Sequence, residues 1–526
     1  MRGQTARVQR KIGVAAGIWG MSILLSRLVG LVREAVIGRT LGSSGAADAY
    51  WTAFVLPDFL NYLLAGGALS IVFIPIFQSH VASGDEERGW RAFGTISTFL
   101  ALLLCVATLA LWLALPALVP LVAPGFTAEQ GALLVHLSRI LLPAQIFHVL
   151  GGLFSAALQA RDRHAVPAFA PLVYTLGIIV GGLITRSADG FAWGVLAGSI
   201  LGPFLLPLLA SLRIGFAWRP RLALRDPDLA TYLARSLPIM LGFSIVAVDD
   251  WILRREGSLL GTGAASALTY AKNLMKVPMG VFGLAAGVAA FPTLARLVAE
   301  RKPEELRRTL WSTTRVLLVL SFAAQALLSV GGTELVALVY GRGKLAPDEL
   351  AEIGAALALV SIGLCAWSAQ TVLARGFYAL GNTWLPALLG TIVALAFYPL
   401  YVALRAELGL GGLALASSAA ITCYVALLGG LLARELARGT LPDEGGWGAF
   451  FLRALCALGL AIGAGRGVRA LLPQGFGTGE ILLRLALAGG ASLLVFALAA
   501  ALSGMPELET ILAPLRRRLK RTKRAP

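Results

Sequence analysis

A chain of 526 residues that is 57% hydrophobic, with a mean hydropathy of +0.79, is too apolar for a soluble globule of its length. Apolar stretches of bilayer-spanning length recur almost end to end, and strand alternation of the outer-membrane barrel kind is absent. The fold class is therefore an all-α integral membrane protein, because a lipid-exposed backbone must satisfy its own hydrogen bonds. The formal charge of +17 does not point to nucleic acid, because it is distributed loop by loop.

Fourteen spans are expected, beginning near residues 13, 49, 94, 131, 165, 190, 236, 264, 310, 351, 385, 411, 449 and 479, and the run 264–299 reads as one span that can kink. Summed over alternate loops, the side that holds the N-terminus carries 28 Lys and Arg and the opposite side 9. By the positive-inside rule both termini are cytoplasmic, which an even number of spans requires. The N-terminus is basic and then apolar, as in a signal peptide, but its apolar part is long and lacks a small-residue cleavage site. It reads as a retained span. The basic tail LRRRLKRTKR is suited to anionic lipid headgroups.

An internal repeat is visible. Ala160 with Pro167-Ala168 matches Ala379 with Pro386-Ala387, both at an offset of 219, and Pro75 with Val81-Ala82 matches Pro292 with Val298-Ala299 at 217. The offset covers six spans, so the halves run parallel, as in transporters with two bundles related by an axis along the membrane normal. The expected organisation is a cytoplasmic tail over 1–12, a six-helix bundle over 13–215 and a cytoplasmic linker over 216–235. A second six-helix bundle follows over 236–435, then an appended helix pair over 449–503 and a basic cytoplasmic tail over 504–526.

Charge inside the spans marks the candidate site. Arg27, Arg33 and Glu34 lie in the first span, where each charge at mid-bilayer costs about 2.5–3.5 kcal/mol on insertion scales. Arg27, Gly30 and Glu34 share a helical face, while Arg33 points elsewhere unless Gly30 bends the span. Asp48 and VLPDFLNYLLAGGALS follow, with Pro57 and Gly66-Gly67 allowing a broken second span. Two readings stand: a cation-rich cavity wall that holds an anionic group, or ion pairs that lock helices. In the second half, Lys272 and Lys276 lie one turn apart, and they either line a cavity or snorkel to the interface. Asp249 and Asp250 read either as proton or cation coupling groups or as partners of Arg254 and Arg255.

No phosphate loop, metal-ligand spacing or nucleophile elbow is present, so no metal and no cofactor is expected. His80, His136, His148 and His164 are scattered singly. Cys105, Cys365, Cys423 and Cys456 lack paired spacing and read as packing residues. A lipid-linked glycosyltransferase or polymerase would present catalytic carboxylates on sizeable loops, but these loops are short. The chain reads as a transporter, not an enzyme, driven by an ion gradient, the membrane potential or its substrate's own gradient.

The runs SRLVGLVREAVIGRTLGSSGAADAYWTAFVLPDFL and GGALSIVFIPIF resemble the N-terminal signature of the MurJ (MviN) family. QARDRHAVPAFAPLVYTLG, SALTYAKNLMKVPMGVFGLAAGVAAFPTLARL, VYGRGKLAPDE and ARGFYALGNTWLP resemble its later landmarks, in order, from about residue 13 to beyond 430. The resemblance implies an inner-membrane flippase of the multidrug/oligosaccharidyl-lipid/polysaccharide exporter superfamily. Its partners would be membrane lipids and lipid II, the undecaprenyl-pyrophosphate-linked peptidoglycan precursor, and cell-wall synthesis enzymes are further candidates. It also implies a cationic cavity for the pyrophosphate-sugar head and a lipid-tail groove on the appended pair. An exporter of another polyprenyl-linked glycan or of drugs is the alternative. The substrate-binding set that it implies is Arg27, Arg33, Glu34, Asp48, Asn61, Lys272, Asn273 and Lys276. Two departures matter: Asn61-Tyr62 stands where the family commonly has arginine, and Gly66 replaces a glutamate. A sodium site found in some members, on the seventh and eleventh spans, has rough counterparts in Asp249 and Asn382, so coupling is expected to the membrane potential or to a monovalent cation.

Overall fold

The computed structural model describes residues 21–22, 25–64, 68–213, 216, 219–241, 245–437, 446–511 and 513. The tail over 1–12, Gly66-Gly67 and the arginines and lysines from 516 to 524 lie outside the described residues. Every regular element among the described residues is helical. The chain divides into two compact units, one of Met1–Phe243 with Gly261–Ser266, the other of Ser244–Leu260 with Ala267–Pro526.

In the first unit, helix α1 covers 25–41 and is followed by α2 (Gly45–Thr52), α3 (Val55–Leu64) and α4 (Ala68–Ala82). Ser44 stops one helix and starts the next: its hydroxyl accepts from the Ala47 amide at 3.2 Å, satisfying one of the first-turn donors that a helix cannot satisfy itself. Helix α5 (Glu86–Val122) has Asp85 as its cap, with Glu86 and Glu87 placed favourably in the first turn of the helix dipole. Next come α6 (Ala128–Leu141), opened by a Thr127–Gln130 capping box, then α7 (Ala144–Ala160), α8 (Ala165–Thr185) and α9 (Ala188–Ser199). A π-helical turn over Ile200–Leu205, which contains Pro203, leads into α10 (Leu206–Leu212), and α11 (Pro227–Leu241) follows.

The packing of α8 against α9 depends on missing side chains. A Cβ on Gly194 would sit 2.5 Å from the Gly177 carbonyl oxygen, so the two backbones approach as only small residues permit. The core of this unit is aromatic. Phe93, 1% exposed, meets Phe73, Phe154 and Phe216 at ring-centroid distances of 5.6, 5.3 and 5.1 Å.

The second unit holds α12 (Ile245–Ser258), most of α13 (Ala264–Pro278), α14 (Ala285–Ala299), α15 (Pro303–Tyr340), α16 (Pro347–Val360) and α17 (Leu364–Ala379). It continues with α18 (Trp384–Ala437), α19 (Trp447–Ala470), α20 (Thr478–Arg484) and α21 (Gly490–Leu502). Helix α18 packs on α12 and α17, and α15 packs on α16 and α19. A π-helical turn over Met279–Leu284 joins α13 to α14, so the expected kinked run over 264–299 is helical throughout and irregular at its middle. At 54 residues α18 is far longer than the roughly 20 that a bilayer crossing needs, and Gly409, at φ +54°, divides it into two helices.

Nine helical segments among the described residues are long and apolar enough to cross a membrane, against the fourteen spans expected. Four of the five fall on segments that carry charge or break, and the fifth on α18, where the spans expected near 385 and 411 form one segment. The charged α1 begins beside residues outside the described ones, α2 to α4 form three short pieces, α12 carries Asp249 and Asp250, and α13 carries Lys272 and Lys276. Outward-facing leucines such as Leu452 (66% exposed) and Leu395 (65%) suit contact with lipid.

Two helix–turn–helix passages are alike. Helices α4 and α14 are both 15 residues long with proline at the eighth position, and both are followed by a left-handed residue, Gly84 and Arg301, two positions past the helix end. Helices α7 and α17 both end in alanine, with left-handed Asp162 and Gly381 two positions on and proline at the third residue of the next helix. Phe93→Ala should lower the thermal midpoint of the purified protein, since truncating a buried Phe costs about 3–5 kcal/mol. An unchanged midpoint would show that this aromatic cluster is not a core.

Candidate functional site

Helix α1 presents its charges in two ways. Arg27 is exposed, and among the described residues no ion pair or hydrogen bond holds it. Arg33 folds back on its chain neighbour, with Nη2 donating to Glu34 Oε1 at 2.5 Å and Nε at 3.2 Å. The carboxylate is 7% exposed, while the guanidinium side chain keeps 28%. Neighbours on a helix point about 100° apart, so the pair forms only because the long arginine stem wraps around the helix. Arg27, Leu28 and Val32 lie on the exposed side of α1, and among the described residues nothing lies within 4 Å of where a Gly30 Cβ would sit.

Asp48 takes a different role. It is 1% exposed at the start of α2 and accepts hydrogen bonds from the backbone amides of Gly263 at 2.6 Å and Ser266 at 2.7 Å, all within the first unit. Ser43 donates to the Gly263 carbonyl at 2.9 Å. Gly263 has φ +94°, and a Cβ there would stand 2.7 Å from the Ser43 carbonyl oxygen, so only glycine fits. Asp48 is thus a carboxylate whose oxygens are satisfied by buried amides. Asn61 is exposed on α3.

In the second unit the acidic pair of α12 meets the lysines of α13. Lys272, 3% exposed, donates to Asp249 and pairs with Asp250 at 2.6 Å, and Lys276 donates to Asp250 at 2.9 Å. Tyr401 and Ser417, from the two parts of α18, both donate to Asp249, Ser417 at 2.9 Å. The Trp367 ring lies 4.8 Å from the Lys272 ammonium, close enough for a cation–π contact. Arg255 pairs with Glu256 instead of these aspartates. Asp250, Arg254, Thr269, Lys272, Asn273 and Lys276 line a small polar cleft of about 20 Å³, room for a water molecule. Asn382 lies apart: exposed, it accepts from the Leu385 amide at 3.1 Å and caps α18.

Other features were not visible in sequence. Glu334 on α15, 1% exposed, holds Arg469 and Arg484, each at 2.9 Å. Glu256 holds Arg255 and, at 3.2 Å, Arg405, and it accepts from Tyr398 at 2.8 Å. Matching charge counts between neighbouring spans could have suggested the Asp–Lys pairing. Nothing local marked Tyr401, Ser417 or Trp367, which arrive from 118–168 residues away from Asp249. His80 bonds Asp228 at 3.1 Å and His136 pairs with Asp189 at 2.8 Å. Among the described residues no group of acidic, histidine or cysteine side chains could hold a metal ion.

The family described as "Lipid II flippase MurJ" matches residues 37–487. A lipid II flippase MurJ of Burkholderia cenocepacia is 29% identical over 454 residues, covering 82% of this chain and 86% of its own. A probable lipid II flippase MurJ of Vibrio cholerae is 27% identical, covering 77% and 80%. Among solved structures, a lipid II flippase MurJ in an inward closed conformation superposes with a TM-score of 0.75 over 92% of this chain and 98% of that one, at 20% identity. An inward-facing multidrug resistance MATE family transporter of the MOP superfamily gives 0.65 over 78% and 94%, at 14% identity. These two likenesses are of fold.

Asp48→Ala should destabilise the protein measurably more than Asp48→Asn, because it strands two buried amides at about 1–3 kcal/mol each while asparagine keeps one acceptor. Equal thermal midpoints for the two variants would refute this role of the carboxylate.

Proposed function

The chain belongs to the lipid II flippase MurJ family, and from that membership we propose how its own residues move lipid II across the inner membrane. The observation that carries the proposal is Arg27. It is an exposed cation with no partner among the described residues, on the side of α1 that also presents Leu28 and Val32, and the family's substrate supplies a pyrophosphate. An open guanidinium can take two phosphate oxygens at once, and Arg33 adds a second once Glu34 yields it. Exchange of Glu34 for phosphate on Arg33 gives binding and release comparable energies, which a carrier that must let go requires.

In the second unit, Lys276 is the half-exposed cation, with Asn273 beside it in the same cleft. Lys272 is buried against Asp249 and Asp250, so its contribution to the site is to hold that cleft's shape. Asp48 and Asn61 frame the first unit's share, Asp48 as a fixed joint and Asn61 as an exposed amide. Coupling to the membrane potential is the reading we keep, because Asp249 is already paired with Lys272 and offers no open carboxylate to a free cation. The same reading has no catalytic step and has the protein work beside the enzymes that make and use lipid II.

We also take the architecture to be fourteen spans in two parallel six-helix repeats with an appended pair, both termini cytoplasmic, and transport to proceed by alternating access. The paired passages α4 with α14 and α7 with α17 support the repeat, and the 28-to-9 split of loop cations supports the orientation.

The wild-type gene should restore growth to cells depleted of their own lipid II flippase. Arg27→Ala and Arg33→Ala should each abolish that rescue at unchanged protein level, with Arg27→Lys retaining part of it. Full rescue by both alanine variants would sink the assignment of the site, and failure of the wild type would sink the transport role itself.

A further inference from the structure

The family resemblance raises a sodium site on the seventh and eleventh spans, and the side chains of this chain do not fit a free ion there. We infer that Lys272 Nζ is the permanent occupant of a carboxylate cage in the second unit, so that this protein carries its cation as part of its own chain. All four carboxylate oxygens of Asp249 and Asp250 already have donors. Asp249 receives Lys272 and Ser417 on Oδ2 and Tyr401 on Oδ1. Asp250 receives Lys272 on Oδ1 at 2.6 Å and Lys276 on Oδ2 at 2.9 Å.

Charge gives the same answer. Two carboxylates face two ammonium groups, and Arg254 lines the same cleft, so a further cation would enter a balanced or already positive place. At 2% and 3% exposure for Asp249 and Lys272, water screens little of the repulsion that it would meet. The aromatic face of Trp367 at 4.8 Å adds an attraction suited to an ammonium. Asn382, the amide that would complete a metal's oxygen set, caps α18 instead.

The cage has the carboxylates of a monovalent-cation site converging on one positive centre, with the hydroxyls of Tyr401 and Ser417 holding Asp249 in place. What differs is the tether. A bound sodium ion can leave, and its occupancy follows concentration. The Lys272 ammonium stays at a fixed stoichiometry of one. Removing its charge while keeping the cage should therefore turn an ion-indifferent protein into an ion-responsive one.

The test uses the purified full-length protein in detergent, with thermal midpoints measured at constant ionic strength in choline, sodium or methylammonium chloride. Wild type should melt at the same temperature in all three. Lys272→Ala should lose several degrees in choline, because an unpaired carboxylate is left buried, and recover saturably in methylammonium or sodium. A double variant, Lys272→Met with Asp249→Asn, removes both charges and should show no salt preference. Saturable stabilisation of wild type by sodium, lost in Asp249→Asn, would overturn the inference. So would a folded Lys272→Ala that ignores both small cations. If Lys272→Ala does not accumulate as folded protein, the wild-type comparison decides alone: indifference to sodium supports the tethered cation, and a saturable response refutes it.

Discussion

An ionised group surrounded by apolar side chains must find an opposite charge, and this requirement arranges the second unit. Glu334 collects Arg469 and Arg484, Glu256 collects Arg255 and Arg405, and Asp249 with Asp250 collects Lys272 and Lys276. In each cluster the most deeply buried carboxylate is 1–2% exposed. Replacing such clusters with apolar residues is often neutral for stability, but removing one partner alone is costly. They therefore fix which helices can be neighbours: α12 with α13 and α18, and α15 with α19 and α20.

Irregular backbone occurs beside these charges. The π-helical turn after Pro278 follows the Lys272–Lys276 face by a few residues, and Gly409 breaks α18 between Tyr401 and Ser417. The break is what lets two residues sixteen positions apart donate to one carboxylate. On an unbroken helix, sixteen residues would separate them by about 24 Å along the axis. The deviation at Gly409 is thus part of how Asp249 is satisfied.

Much of this was legible in the sequence, and the parts that were not share a cause. Hydropathy revealed a helical membrane protein, and the Pro75–Pro292 and Ala160–Ala379 offsets marked passages that fold alike. Both are local or periodic signals. For Asp249 and Asp250 the sequence offers a coupling role or pairing with Arg254 and Arg255, because near neighbours are what a linear reading can see. The fold adds Lys272 from 23 residues away and Ser417 from 168. For Asp48 the sequence leaves a cavity charge and an ion pair open, and its observed partners are two amides about 215 residues on, which carry no signature in a sequence. Among the described residues, the expected spans not counted singly are those that carry charge, those that fall in short pieces, and the pair joined in α18.

The same requirement separates structural from functional charge in α1. Where a buried carboxylate and its cations are matched, as around Asp249 and Glu334, an anionic ligand would first have to displace an internal partner inside a poorly screened interior. Arg33 is an intermediate case: one partner, Glu34, sits on the same helix, and the guanidinium stays partly open. Arg27 has no such competitor among the described residues. On the proposed reading, a pyrophosphate would meet the least competition at Arg27, more at Arg33 and most at Lys272. The order of their pairing is the order of the internal competition an anion would meet, and this is the ground on which Arg27 heads the proposed site.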